Sequence, residues 1–544
     1  MKKAFRKPRI VVAAFLLLCA AAKAPADVSE EKSGTAPSYG DAIVVASLGD
    51  AKNLIPILAS DSASGEICSL VFNGLVKYDK NIRLVGDLAE RWEITEDGLT
   101  IVFYLRRGVR WHDGAPFTAR DVEFTYTALI DPNVKTPYSG DFERVESFEV
   151  IDDHTVRVTY KEPFAPALAS WGMSIMPRHI LDGVDLDTTG FSRHPVGTGP
   201  YMFRKWKTGQ KIELFSNHDY FEGRPYIERY IYRIIPDAST IFLELQVQAV
   251  DMAQLTPLQY TRQTDGGAFA KRFRKFHFPS FGYTYMGYNL SNNIFSDKRV
   301  RQAMQYAVDK KEIIDGVLFG LGKPCAGPFP PESWANNPDV RPAPRDPGRA
   351  RRLLDEAGWS DSDGDGWIDR KGKPFEFTVI TNQGNRERIM TAEVIQKRLE
   401  DVGIKMKIRV LEWATFLDFI NKKNFDACIL GWSLSRDPDC YDIWHSSKTR
   451  EGEFNFIGYR NDEVDTLLER GRRTFDQGER KKIYHRIQEI LYDEQPYMFL
   501  YVPDSLPALH RRFRNVEIAP IGIGHNFIRW FVPERDQRYR VTPR

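Results

Sequence analysis

The run from residue 375 to 432 constrains the fold more than any other part of the chain. "FEFTVIT" (375–381) predicts a strand. "RERIMTAEVIQKRLEDVG" follows, with Ile389, Ala392, Ile395, Leu399 and Val402 at helical spacing and Gly403 as the C-terminal stop. "IKMKIRV" (404–410) alternates apolar and cationic residues, the pattern of a half-exposed strand. "ATFLDFINK" predicts a short helix and "FDACILGW" a buried strand. Strand–helix–strand–helix–strand builds a parallel sheet with right-handed crossovers. Such sheets take ligands beyond the carboxyl ends of their strands. Those ends carry Asn382 and Gln383, then Trp413, then Trp432. The two tryptophans are candidate walls of a pocket, with ordinary core aromatics as the other reading.

Strand-like and helix-like segments alternate elsewhere too, so the class is α/β or α+β. Mean hydropathy is −0.42, with 42% hydrophobic residues, which fits a soluble chain with a large core. Residues 1–26 are of a different kind. Five cations up to Arg9 precede an apolar run of 13 residues and then "AKAPAD", the layout of a secretory signal peptide. Cys19 is a candidate lipid anchor, although Leu18 stands where a lipidation signal wants a small residue. Removing that segment lowers Lys+Arg from 76 to 70 against 74 acids, a net charge of about −4. No basic footprint for nucleic acid is left. Cys68, Cys325, Cys428 and Cys440 lack the spacing of a disulfide scaffold or a zinc site, and a Cys428–Cys440 bridge is left open. No hydrolase, metalloprotease or dinucleotide motif is present, which argues against an enzyme.

"DSDGDGWIDRKGKPF" places Asp361, Asp363, Asp365 and Asp369 in the spacing of a calcium-binding loop. The twelfth position, where such a loop needs a bidentate Glu, is Gly372. A structural calcium site and a plain Asp/Gly turn are both open readings. No other cofactor is expected.

The segment "LAERWEITEDGLTIVFYLRRGVRWHDGAPFTARDVEFTYTALIDP" (88–132) resembles the family 5 extracellular solute-binding proteins, the oligopeptide/dipeptide-type receptors of ABC importers. The resemblance continues in order through "PVGTGPYMFRKW", "RIIPDASTIFLELQ", "YNLSNNIFSDKRVRQAMQYAVDKKEII", "EWATFLDFINKKNFDACILGW" and "LYDEQPYMFLY". It implies an α/β, bilobal, periplasmic-binding-protein-like (type II) fold with an extra inserted domain. Lobe one would comprise 40–68, 196–288 and 503–540, the inserted domain 69–195 and lobe two 289–502. It implies a monomeric periplasmic receptor that captures a peptide by hinge closure and delivers it to a membrane permease. Oligosaccharide, nickel chelate, haem or antibiotic are alternative cargoes on the same scaffold, and an exported hydrolase is the reading from another class.

The family's pocket tryptophans fall on Trp413 and Trp432. Its peptide-binding members hold the α-amino group with an aspartate shortly after the Gly-Trp. Here that place falls on Ser435 or Arg436, with Asp437 and Asp439 just beyond as candidate ammonium partners. "DSASGEI" matches the family's first cleft loop, which makes Asp61 and Ser62 candidates; a helix cap by Ser62 or Ser64 is the other reading. In "LQVQAVDM", Ala249 is read as standing in for a turn glycine of the relatives.

Overall fold

The computed structural model describes residues 36–539, so the leader-like segment and Cys19 lie outside the described residues. Two seven-stranded sheets organise the body. The first orders its strands as Phe273–Lys275, Pro507–His510, Met252–Gln254, Gly40–Ser47, Ile227–Ile234, Lys211–Ser216 and Tyr201–Lys207. Gly40–Ser47 at its centre runs parallel to both neighbours, and the outer pairs are antiparallel. The second sheet runs Phe278–Pro279, Tyr497–Ser505, Gly282–Tyr288, Ala427–Ser433, Glu376–Asn382 and Lys405–Leu411, with Gly322–Pro324 added to Tyr497–Ser505. A separate antiparallel sheet of four strands spans Ala89–Ile94 to Thr155–Tyr160.

The sequence pattern explains the second sheet strand by strand. Gly282–Tyr288 is buried along its whole length, because helices cover one face and an aromatic cluster the other. Burial of each large apolar side chain there contributes roughly 1.5–3 kcal/mol. Lys405–Leu411 forms the edge. Met406 points inward, while Lys405 and Lys407 face solvent and pair with Glu376, which protects the open edge. The helix Arg386–Glu400 starts on Asn385, whose side chain accepts the Arg388 N–H at 2.9 Å, and buries Ala392, Ile395 and Leu399. Gly403 turns the chain into the next strand at φ +80°, which a side chain would strain. Glu376–Asn382 is parallel to both Lys405–Leu411 and Ala427–Ser433, so all three carboxyl ends emerge on one side.

The chain crosses between the large sheets through two segments that pair with each other. Phe278 stands opposite Ser505 and Pro279 opposite Asp504 in an antiparallel ribbon. Short paired crossings of this kind localise a hinge. The Cys428–Cys440 bridge left open by the sequence is not formed: all four described cysteines are buried free thiols. In the 245–252 turn, where Ala249 is read as standing in for a glycine of the relatives, the left-handed residue is Gln248, at φ 62°.

Candidate functional site

The carboxyl ends of Glu376–Asn382 and Lys405–Leu411 form one wall of a cavity of about 460 Å³; the end of Ala427–Ser433 does not line it. Asn382, Glu387, Arg388, Trp413 and Tyr501 line it from the second sheet. Ala46–Gly49, Ser62, Glu66, Tyr232 and 254–257 line it from the first. Trp413 is the first residue of a helix capped by Glu412, which aims the indole away from its own strand. The indole reaches across to Gly49 so closely that a β-carbon there would sit 2.9 Å from its Cδ1. The two sides are therefore in contact, and the Trp413 Nε1–H is buried with no acceptor among the described residues.

The charges in this cavity are unusually placed. Arg388 donates to the Asn382 amide oxygen at 2.9 Å and has no ion pair among the described residues. Burial holds its guanidinium below the ordinary arginine range. Glu66 opens onto the cleft, yet the walls around it raise its pKa, partly offset by a 2.6 Å hydrogen bond from Tyr230. Burial likewise raises Glu387. Neither carboxylate is in an ion pair among the described residues. Polar groups shielded from water but unpaired cost free energy, and a ligand that pairs with them recovers it.

Trp432, the other tryptophan expected as a wall, does not line this cavity; it is stacked with Tyr285 at 6.2 Å between ring centroids and packed against Phe456 at 5.9 Å. Phe454 touches it at 5.2 Å and touches Tyr138 at 5.6 Å, so one ring bridges Trp432 to the inserted segment. Ser62 lines the cavity. Asp61 instead caps the helix Ser62–Val71, accepting the Ser64 N–H at 3.0 Å, so the cap is Asp61 rather than Ser62 or Ser64. Gln383 is exposed outside the cavity, its N–H bonded to the Leu411 carbonyl at 2.6 Å. Ser435 spends its hydroxyl on the Asp437 carbonyl.

The expected ammonium partners are committed elsewhere. Asp437 takes two hydrogen bonds from Arg480, at 2.7 and 2.9 Å. Asp439 accepts from Arg472 Nε at 2.8 Å. Arg472 is 1% exposed and also reaches the Gly140 carbonyl at 2.9 Å and Asp141 at 2.7 Å. It therefore locks the second-sheet side to the inserted segment. Lys448 adds a 3.0 Å bond to Ser139, and Arg144–Glu469 and Arg473–Glu162 close the outer edge of this seam. Asp442 lies in the same seam without a hydrogen bond or ion pair among the described residues. Burial pushes its carboxyl up to about 7 and that of Asp141 up to about 6.

In the acidic loop, Asp361, Asp363 and Asp365 bring carboxylate oxygens within 4.8 Å of one another, all exposed. These are the residues able to hold a cation. Asp369 belongs to another bond set, accepting from Ser362 and from the Gly372 N–H. Asp361 already accepts the N–H groups of Gly364 and Gly366 at 2.8 and 3.0 Å, as a turn requires.

Arg388, Glu387, Glu66 and Arg436 were not among the residues expected from the sequence, apart from Arg436 as one alternative for the aspartate's place. Arg388 carried a usable signal: it sits one turn into a capped helix directly after a strand end, where ligands of parallel sheets meet side chains.

Comparison with known proteins fits this arrangement. Residues 83–453 match the model of the bacterial extracellular solute-binding proteins, family 5. The chain is 35% identical over 537 residues to the oligopeptide-binding protein AppA of Bacillus subtilis, covering 96% of this chain and 97% of that one. The solved structure of that AppA in complex with a nonapeptide superposes with a TM-score of 0.87 at 33% identity, covering 91% of this chain and all of the other. NikZ from Campylobacter jejuni in complex with Ni(L-His) superposes with a TM-score of 0.81 at 28% identity, covering 90% and 99%. This chain belongs to the family 5 bacterial extracellular solute-binding proteins. Its site of action is accordingly extracytoplasmic, and among the described residues no helix is long and apolar enough to cross a membrane.

Proposed function

We propose that this chain is the receptor of an ABC importer that encloses a peptide between its two large sheets and presents it to a membrane permease. Residues 1–26 serve as its export signal. The observation that carries this reading is the set of charged groups around the interlobe cavity that have no ion-pair partner, together with the unbonded Trp413 indole. The Trp413 Nε1–H is buried without an acceptor, and Arg388, Glu66 and Glu387, which are of both charge signs, have no ion-pair partner among the described residues; Arg388 and Glu66 each make one neutral hydrogen bond, to Asn382 and from Tyr230. A dipolar, hydrogen-bonding chain satisfies such a set; a purely apolar solute does not. Beyond the strand Ala427–Ser433, the N–H groups of Ser435 and Arg436 meet no acceptor among the described residues, which suits an extended main chain laid alongside.

Metal-chelate cargo is less well served. No histidine or cysteine lines the cavity. His445 stacks on Tyr441 at 4.2 Å and bonds the Ser447 hydroxyl at 2.8 Å. Binding needs no covalent step: the ligand stabilises the closed arrangement by touching both sides at once. Calorimetry with di- to nonapeptides, on protein refolded to strip carried-over ligand, tests the reading. Saturable one-to-one binding is expected; binding of a nickel chelate or an oligosaccharide but of no peptide overturns it.

A further inference from the structure

The arginines near the boundary of the second-sheet side are not treated alike; Arg388 lines the cavity, whereas Arg436 stands outside its lining, toward Tyr78 of the inserted segment. Arg472 and Arg480 each hold a carboxylate, and Arg388 holds an amide oxygen. Arg436 holds neither. Its guanidinium carbon lies 3.2 Å above the ring of Phe281, and its Nη1 is sealed from solvent with no acceptor. It makes no hydrogen bond or ion pair among the described residues. The neighbouring Asp437 is turned away onto Arg480. Burial holds Arg436 below the ordinary arginine range, and the group that opposes this is the Tyr78 hydroxyl, from the inserted segment on the other side of the cleft.

The position is defined on both sides. Leu434 N–H bonds the Phe281 carbonyl at 2.9 Å, which extends the sheet past Trp432 to the point where the chain crosses between lobes. Phe281 covers one face of the guanidinium and fixes its plane. The edge of that plane carries the N–H donors, in the fork geometry that matches a carboxylate. The unpaired N–H groups of Ser435 and Arg436 lie on the same stretch of backbone.

We propose that Arg436 is a specificity-determining residue that receives a carboxylate of the bound peptide, so that the cleft selects for an anionic group at this end. The inference rests on the peptide reading above and adds a charge requirement to it. The carboxylate belongs either to an acidic side chain or to the peptide's C-terminus, and the same chemistry recognises both.

The test uses pentaalanine and its five single-glutamate variants, each as free acid and as C-terminal amide, titrated calorimetrically into wild-type and Arg436→Gln protein. Wild type is expected to bind at least one carboxylate-bearing form tenfold or more tightly than the pentaalanine amide. A preference that follows glutamate position assigns the group to a side chain; one that follows acid over amide assigns it to the C-terminus. In Arg436→Gln that preference is lost, while affinity for the pentaalanine amide stays within about twofold. Equal binding of acidic and neutral forms by wild type overturns the role of Arg436 and leaves the peptide reading standing. So does a preference that survives in a folded Arg436→Gln protein. If none of these peptides binds, the peptide reading falls. The mass of the ligand released from denatured wild-type protein then decides Arg436 separately: an anionic ligand missing from Arg436→Gln protein supports it, and a neutral or cationic one overturns it.

Discussion

Two stretches of the boundary between the lobes are built on opposite principles. In the seam around Arg472, the buried guanidinium is saturated by Asp439, Asp141 and the Gly140 carbonyl, with Lys448 beside it on Ser139. In the cavity around Trp413, the indole N–H has no acceptor, and Arg388, Glu66 and Glu387 have no ion-pair partner among the described residues. Asp442 apart, the seam's charges find partners when the lobes meet; the cavity's charges are left for something else to pair. Satisfied polar groups thus mark where the protein closes, and unsatisfied ones mark where it binds.

The contrast breaks most sharply at Arg472. Arg472→Met leaves Asp439 and Asp141 buried and unpaired, and loss of one partner of such a set costs about 3–5 kcal/mol. A large fall in the urea midpoint is expected, and an unchanged midpoint contradicts the seam's role. Trp413→Ala acts on the other side of the comparison. It removes a wall of the cavity, so peptide affinity should drop by about 2 kcal/mol, roughly thirtyfold, with little change in the ligand-free melting temperature. A large stability loss would instead make Trp413 a core residue.

The seam also predicts a pH dependence. Asp442 faces Asp141, Asp439, Arg472 and Lys448, and in the closed arrangement its pKa is raised to about 7 from 3.8. Closure therefore takes up a proton within that window. Peptide affinity is expected to fall as pH rises from about 4 to about 7 and to level off above, with Asp442→Asn flattening the curve. Calorimetry in buffers of different ionisation enthalpy measures the uptake directly, and equal heats in all of them rule it out. A smaller effect is expected at Gly49, where an added methyl meets the Trp413 ring. Gly49→Ala should weaken binding by about 1 kcal/mol through imperfect closure, seen as a faster off-rate.

The parallel unit of 375–432 was legible because its helical and strand periods change cleanly at caps and glycines, and because its edge strand advertises itself with alternating lysines. The tryptophans were legible as strand-end aromatics. The ion pairs of Asp437 and Asp439 were not legible because charge partners are remote in sequence: Asp437 meets Arg480 43 residues away and Asp439 meets Arg472 33 residues away. No local pattern signals which carboxylate a distant arginine will take. For the same reason Glu66 and Glu387 gave no sign of sharing a cavity, since they come from opposite lobes.

The most direct test of the central claim is a mass spectrum of whatever leaves the purified, freshly denatured protein, compared with the same protein carrying Trp413→Ala. Peptides released from wild type and depleted in the variant are the predicted result. Release of a nickel chelate, haem or a saccharide, with no peptide in either sample, would contradict the account.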